Sequence, residues 1–179
     1  MAKKRMKRLT EEINFSKYSK AVTDRIISHV GHRKNVGLLL SDEGAHKKLS
    51  IDADLVNLDA AAVQKATSEI PSTVDAVLGC EGNIAQFVEC KYRVGGKKKD
   101  RKKLTPPSES ELKDKVLGSK PFLTSEALEV SIAPTLVLIF HDNHIQQARA
   151  WVNDYNAGKK KPLYTEMTTE QFIETFFKP

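Results

Sequence analysis

Residues 73–94 constrain the fold of this chain more than any other stretch. Two β-prone runs, 73–78 and 84–94, flank Glu81-Gly82-Asn83, a short glycine-containing connection that signals a β-hairpin. Strand side chains alternate, so Ala85, Phe87, Glu89 and Lys91 share one face of the second run, while Val88 and Tyr92 make the other face apolar. A strand apolar on both faces is a covered, central strand. The chain is therefore expected to be α/β, with a central mixed β-sheet flanked by helices.

The rest of the chain supplies the layers. Phe15, Tyr18, Val22, Ile26 and Val30 recur every three or four residues, which predicts an amphipathic helix from Asn14 or Ser16 to a stop at Gly31. Residues 36–40 read as a short buried strand, Asp42-Glu43-Gly44 as a turn, and the alternation of Leu49, Ile51, Ala53 and Leu55 as another strand. Asp59 is a candidate cap for a helix over 60–68. Ser108 and Glu111 have capping-box spacing for a helix to about Leu117, and a further short helix is expected over 125–130. Residues 135–140 read as a central strand. A helix marked by Ile145, Ala148, Trp151, Val152 and Tyr155, a strand over 163–167 and a closing helix capped by Thr168 and Gln171 complete the pattern.

At 179 residues the chain suits one domain over 11–179, preceded by a basic flexible tail over 1–10. Its longest apolar run, 133–140, contains a proline and is far short of the ~20 residues needed to span a bilayer, so no membrane association is expected. The N-terminus leads into Glu11 and Glu12 rather than an apolar core segment, which is unlike a secretory signal. Cys80 and Cys90 suit neither a disulfide framework nor a zinc site, and a reducing cytoplasm is the expected compartment. A net charge of +6 favours a polyanionic partner.

The hairpin also carries the one constellation with chemical content. Glu89 and Lys91 point to one face, and Asp75, at the start of the partner strand, lies close enough through the hairpin to add a second carboxylate. Two carboxylates beside a lysine suit Mg²⁺, which takes one or two carboxylates, waters and phosphate oxygens. Bare charges on a covered strand are costly unless paired or metal-bound. The bland alternative is a cross-strand ion pair on a solvated face, worth up to about 1 kcal/mol.

Val74-Asp75-Ala76-Val77-Leu78 followed by Phe87-Val88-Glu89-Cys90-Lys91-Tyr92 resembles the paired motif of the PD-(D/E)XK nuclease superfamily, the restriction-endonuclease-like fold. Val74 stands where that family often has proline, a residue that ligates nothing. The resemblance implies metal-dependent phosphodiester hydrolysis of nucleic acid, DNA rather than RNA, with Mg²⁺ as cofactor and Mn²⁺ able to substitute. Asp75, Glu89 and the Cys90 carbonyl would ligate the metal, while Lys91 would orient the water and steady developing charge. Many such nucleases carry an acid on the first helix, for which Glu12 and Asp24 are both candidates, and many dimerise to cut both strands.

Other residues weigh less. Lys113 and Lys115 lie on the helix after the motif, where family members often place a helper residue. Lys97, Lys98, Lys99, Arg101, Lys102 and Lys103 are the candidate nucleic-acid contacts, suited to phosphates rather than to base stacking. His141, Asp142 and His144 follow a strand end, where capping of the next helix by Asp142 or Asn143 is the simpler role. Two other classes fit the same residues: a non-catalytic nucleic-acid-binding or assembly protein that keeps the fold, and a toxin or effector nuclease module.

Overall fold

A computed structural model describes residues 13–93 and 105–179. In chain order the elements are α1 (Lys20–Val30), β1 (Arg33–Asn35), α2 (Val36–Glu43), β2 (Asp54–Asn57), α3 (Leu58–Lys65), β3 (Ala76–Cys80), β4 (Ile84–Cys90), α4 (Glu109–Ser119), β5 (Ser131–Ile132), β6 (Leu136–Phe140), α5 (Ile145–Asn156), β7 (Tyr164–Thr168) and α6 (Thr169–Phe177). Among the described residues, a mixed seven-strand sheet packs against six helices. The strand order is β1-β2-β3-β4-β6-β7, with β5 beside the start of β4. β1 to β4 are antiparallel, whereas β4, β6 and β7 run parallel.

The hairpin forms where the sequence places it. Register runs from Ala76 opposite Val88 to Cys80 opposite Ile84, and Gly82 and Asn83 take the positive φ values that the turn requires. β3, β6 and nearly all of β4 are buried. Val77, Ala85, Phe87 and Leu138 pack with apolar residues of α1, α3, α4 and α5 on one face. Ala76, Leu78, Val88, Cys90 and Ile139 pack with α2 and α6 on the other. Helices on both faces are what a doubly apolar strand demands. Among the described residues no helix is long and apolar enough to cross a membrane.

Several local expectations are corrected. Residues 36–40 form helix α2, not a strand: the Asn35 side chain accepts the Leu38 N–H at its start, and Gly44, at φ 118°, ends it in the left-handed region. A five-residue apolar run is ambiguous by periodicity, and here the two caps decide it. α1 begins at Lys20 behind a Ser19 cap, so Phe15 and Tyr18 lie outside the helix and meet the rings of Phe176 and Phe177. The strand expected over 49–55 shrinks to Asp54–Asn57. Asn57 caps α3, leaving Asp59 to accept a bond from Thr73 Oγ1 at 2.7 Å. Residues 125–130 are turns rather than a helix. Neither Asp142 nor Asn143 caps α5, which follows a 3₁₀ turn without a side-chain cap. The stop at Gly31 and the Thr168–Gln171 capping box form, Ser108 caps α4 by accepting the Glu111 N–H at 3.4 Å without the return bond of a capping box, and residues 1–10 lie outside the described residues.

Two substitutions test this frame. Gly79 sits where β3 meets α1, and a Cβ there would stand 2.2 Å from the Thr23 backbone N. Gly79→Ala should destabilise by about 3 kcal/mol, read by urea unfolding, because the Val22 and Thr23 atoms it would meet are all backbone. Thr168→Ala should cost about 1 kcal/mol by removing the cap over α6, whose Phe172 and Phe176 are buried. Unchanged unfolding midpoints would contradict either contact.

Candidate active site

The ladder between β3 and β4 ends at Ala76 and Val88, and beyond it two carboxyl groups bridge the diverging strands. The Cys90 N–H donates to Asp75 Oδ2 at 2.6 Å, and the Asp75 N–H donates to Glu89 Oε2 at 3.2 Å. Lys91 Nζ lies 2.8 Å and Lys115 Nζ 2.7 Å from Glu89 Oε1, with Lys115 also 4.0 Å from Asp75 Oδ1. The side chain of Glu89 is only 2% exposed and that of Asp75 8%, against 14% for Lys91 and 17% for Lys115. This is a dry ion cluster, not a pair on a solvated face.

α4 delivers Lys115 through two close contacts. The Val74 N–H donates to Ser119 Oγ at 2.9 Å, and Ser119 Oγ donates in turn to the Lys115 carbonyl. Gly118 permits the approach, since a Cβ there would stand 1.9 Å from the Ser72 carbonyl oxygen. Lys113 instead pairs with Glu109 at 3.2 Å, so the structure selects one of the two helix lysines.

Burial, followed by the charge of Glu89, pushes the Asp75 carboxyl up to about 8, against the opposing bond from Cys90 and the charge of Lys115. Burial pulls the Lys115 ammonium down, but Glu89 and Asp75 outweigh it and the net shift is upward. Glu43, at the end of α2, is raised by its own burial and then by Asp59, and its charge also reaches Asp75 and Glu89. Glu43 and Asp59 therefore belong to the acidic surroundings of the site. Neither is singled out by sequence, where Glu43 reads as a turn residue and Asp59 as a cap.

Asp75, Glu89 and Lys91 are brought together as their spacing implies. The Cys90 side chain packs in the core on the opposite face, and its backbone lies against Asp75. Asp24 is not at the site, because it pairs with Lys20 and Arg33 on the outer side of α1. Glu12 and the basic residues Lys97, Lys98, Lys99, Arg101, Lys102 and Lys103 lie outside the described residues. His141 and His144 stand apart from the acids, with His141 stacked on His46.

The donor set fits a hard divalent cation of the Mg²⁺ kind. Its oxygens are carboxylate oxygens, and the upward shift of Asp75 marks a place where added positive charge is favoured. Among the described residues no three His, Cys, Asp or Glu side chains gather to hold an ion, so waters, carbonyls or substrate oxygens would complete its shell. Comparison with protein-family models, characterised proteins and solved structures finds no match for the chain.

Proposed function

We propose that the chain is a Mg²⁺-dependent endonuclease of restriction-endonuclease-like fold, acting on DNA. The observation that carries the reading is the convergence of Asp75, Glu89, Lys91 and Lys115 in one buried cluster where the hairpin splays. Element order supports it. α1 is followed by antiparallel β1 to β4, interrupted by α2 and α3, with the acids beside β3 and on β4, then by α4 and strands parallel to β4. The resemblance implies a helix, three strands with acids on the second and third, a helix and a further strand, to which β1, α2 and α3 add. Cys80 and Cys90 are free, buried thiols, in keeping with a reducing cytoplasm.

Asp75 and Glu89, with the Cys90 carbonyl, would hold the ion, which supplies Lewis acidity toward a phosphoryl oxygen and lowers the pKa of a bound water. The chain's own groups do the rest. Lys91 orients the attacking water and balances charge that develops on the phosphate, and Lys115 adds a second ammonium from the other side of Glu89. Both lysines share Glu89 Oε1, so a substrate phosphate competes with that oxygen for them.

That closed ion pairing is also the observation favouring the alternative, a binding or assembly protein that keeps the fold without turnover. Cleavage of supercoiled plasmid, single-stranded DNA and RNA, with Mg²⁺, with Mn²⁺ and with EDTA, separates the two. Metal-dependent nicking lost in Glu89→Gln is the expected result. Binding of DNA by folded protein without any cleavage would favour the alternative.

A further inference from the structure

A cavity of about 300 Å³ opens at the carboxyl ends of the parallel strands, lined in part by His46, Lys47, Leu49, His141 and Asn143. Crevices at strand carboxyl ends are where open α/β sheets take ligands, and this volume is at the small end for ligand pockets. Tyr92, packed on the α2 and α6 face of the sheet, links the cavity to Lys91 along the chain. Tyr92 follows Lys91, with Cα atoms about 3.8 Å apart, and its ring lies 4.7 Å from that of His141. The Tyr92 hydroxyl shares a 2.6 Å hydrogen bond with Thr169 Oγ1, another residue of the cavity wall.

The lining is specific in kind. His46 and His141 are stacked with centroids 3.7 Å apart and planes 9° apart, so one wall is a flat ring surface. His46 is exposed and can be stacked upon from outside. Leu49 adds apolar surface, Asn143 offers an amide donor and acceptor, and the wall also carries Lys47, 3.9 Å from Glu170, with the acids Asp142 and Glu170. Burial, with His46 and His144 alongside, holds the His141 imidazolium below its usual range. A flat ring platform and a hydrogen-bonding edge match a nucleobase and its edge.

We infer that this cavity binds an unpaired nucleobase of the nucleic-acid substrate. The inference rests on the nuclease reading and deepens it: the preferred substrate would carry a single-stranded or extrahelical nucleotide, since a paired base cannot present its face and edge to such a pocket.

The test is an NMR titration of histidine ring signals in EDTA, with His46→Gln and His141→Gln for assignment. The probes are dAMP, dCMP, dGMP and TMP, with deoxyribose 5-phosphate as the control lacking a base. Saturable shifts of the His46 and His141 rings with at least one mononucleotide, absent with the sugar phosphate, are expected, together with at least about tenfold weaker binding in Leu49→Asp. Equal shifts with deoxyribose 5-phosphate would reduce the cavity to an anion site and overturn the inference, as would no shift with any mononucleotide. Mononucleotide binding does not depend on turnover. Cleavage without these shifts would sink this inference alone, while shifts without cleavage would sink only the enzymatic reading.

Discussion

Glu89→Gln should lower metal-dependent cleavage by at least about 10³-fold, equivalent to ~4 kcal/mol of transition-state stabilisation, with the protein still folded. The amide keeps the volume of a side chain that is 2% exposed, but it cannot serve as an anionic ligand or as a full counter-charge for Lys91 and Lys115. Glu89→Ala is the less informative variant. It leaves the two ammoniums, only 14% and 17% exposed, facing a cavity without their shared carboxylate, and should cost stability as well as activity. Lys91→Ala and Lys115→Ala should each slow cleavage, by about 10²-fold or more, while leaving most DNA affinity intact. Single-turnover rates at saturating Mg²⁺ are the measurement. A Glu89→Gln enzyme cutting at the parent's rate would remove Glu89 from the chemistry.

Asp75→Asn should behave in an opposite sense toward stability. The unfolded carboxyl titrates near ~3.9, and in the folded protein it is pushed up to about 8 by burial and Glu89. Between those values the folded chain binds more protons than the unfolded one, so metal-free stability falls as pH rises from about 4 to about 8 and is level beyond. Below about pH 4 the group is neutral in both states and the penalty vanishes. An asparagine does not titrate. In EDTA the variant should therefore match the parent near pH 4 and exceed it by about 3–5 kcal/mol at pH 8.5, read by urea unfolding at each pH. A difference independent of pH would show that Asp75 is not held neutral by its surroundings. The same variant should be inactive, so Asp75 would be a residue kept at a cost in stability, as functional groups in dry sites are.

The covered hairpin was legible in the residues themselves. Alternation along 84–92, with apolar residues on both faces, required helices on both sides of the sheet, and spacing of two put Glu89 and Lys91 on one face. The caps at Ser108 and Thr168 were legible for the same reason: they depend on residues three apart in sequence. The helix at 36–43 was not legible in this way, because its apolar run fits a short strand equally well and only the caps at Asn35 and Gly44 resolve it.

Residue spacing along the chain thus carries the local part: which strand is central, and which charges it takes into the interior. The long-range part comes from packing between elements. Lys115 rather than Lys113 reaches Glu89 because Gly118 and Ser119 dock α4 against the chain before Asp75, a contact between residues more than forty positions apart. Glu43 joins the acids, and His46 stacks on His141 across nearly a hundred positions. Side-chain periodicity is a property of one element, whereas these pairings exist only once separate elements have been packed together, and no spacing along the chain encodes them.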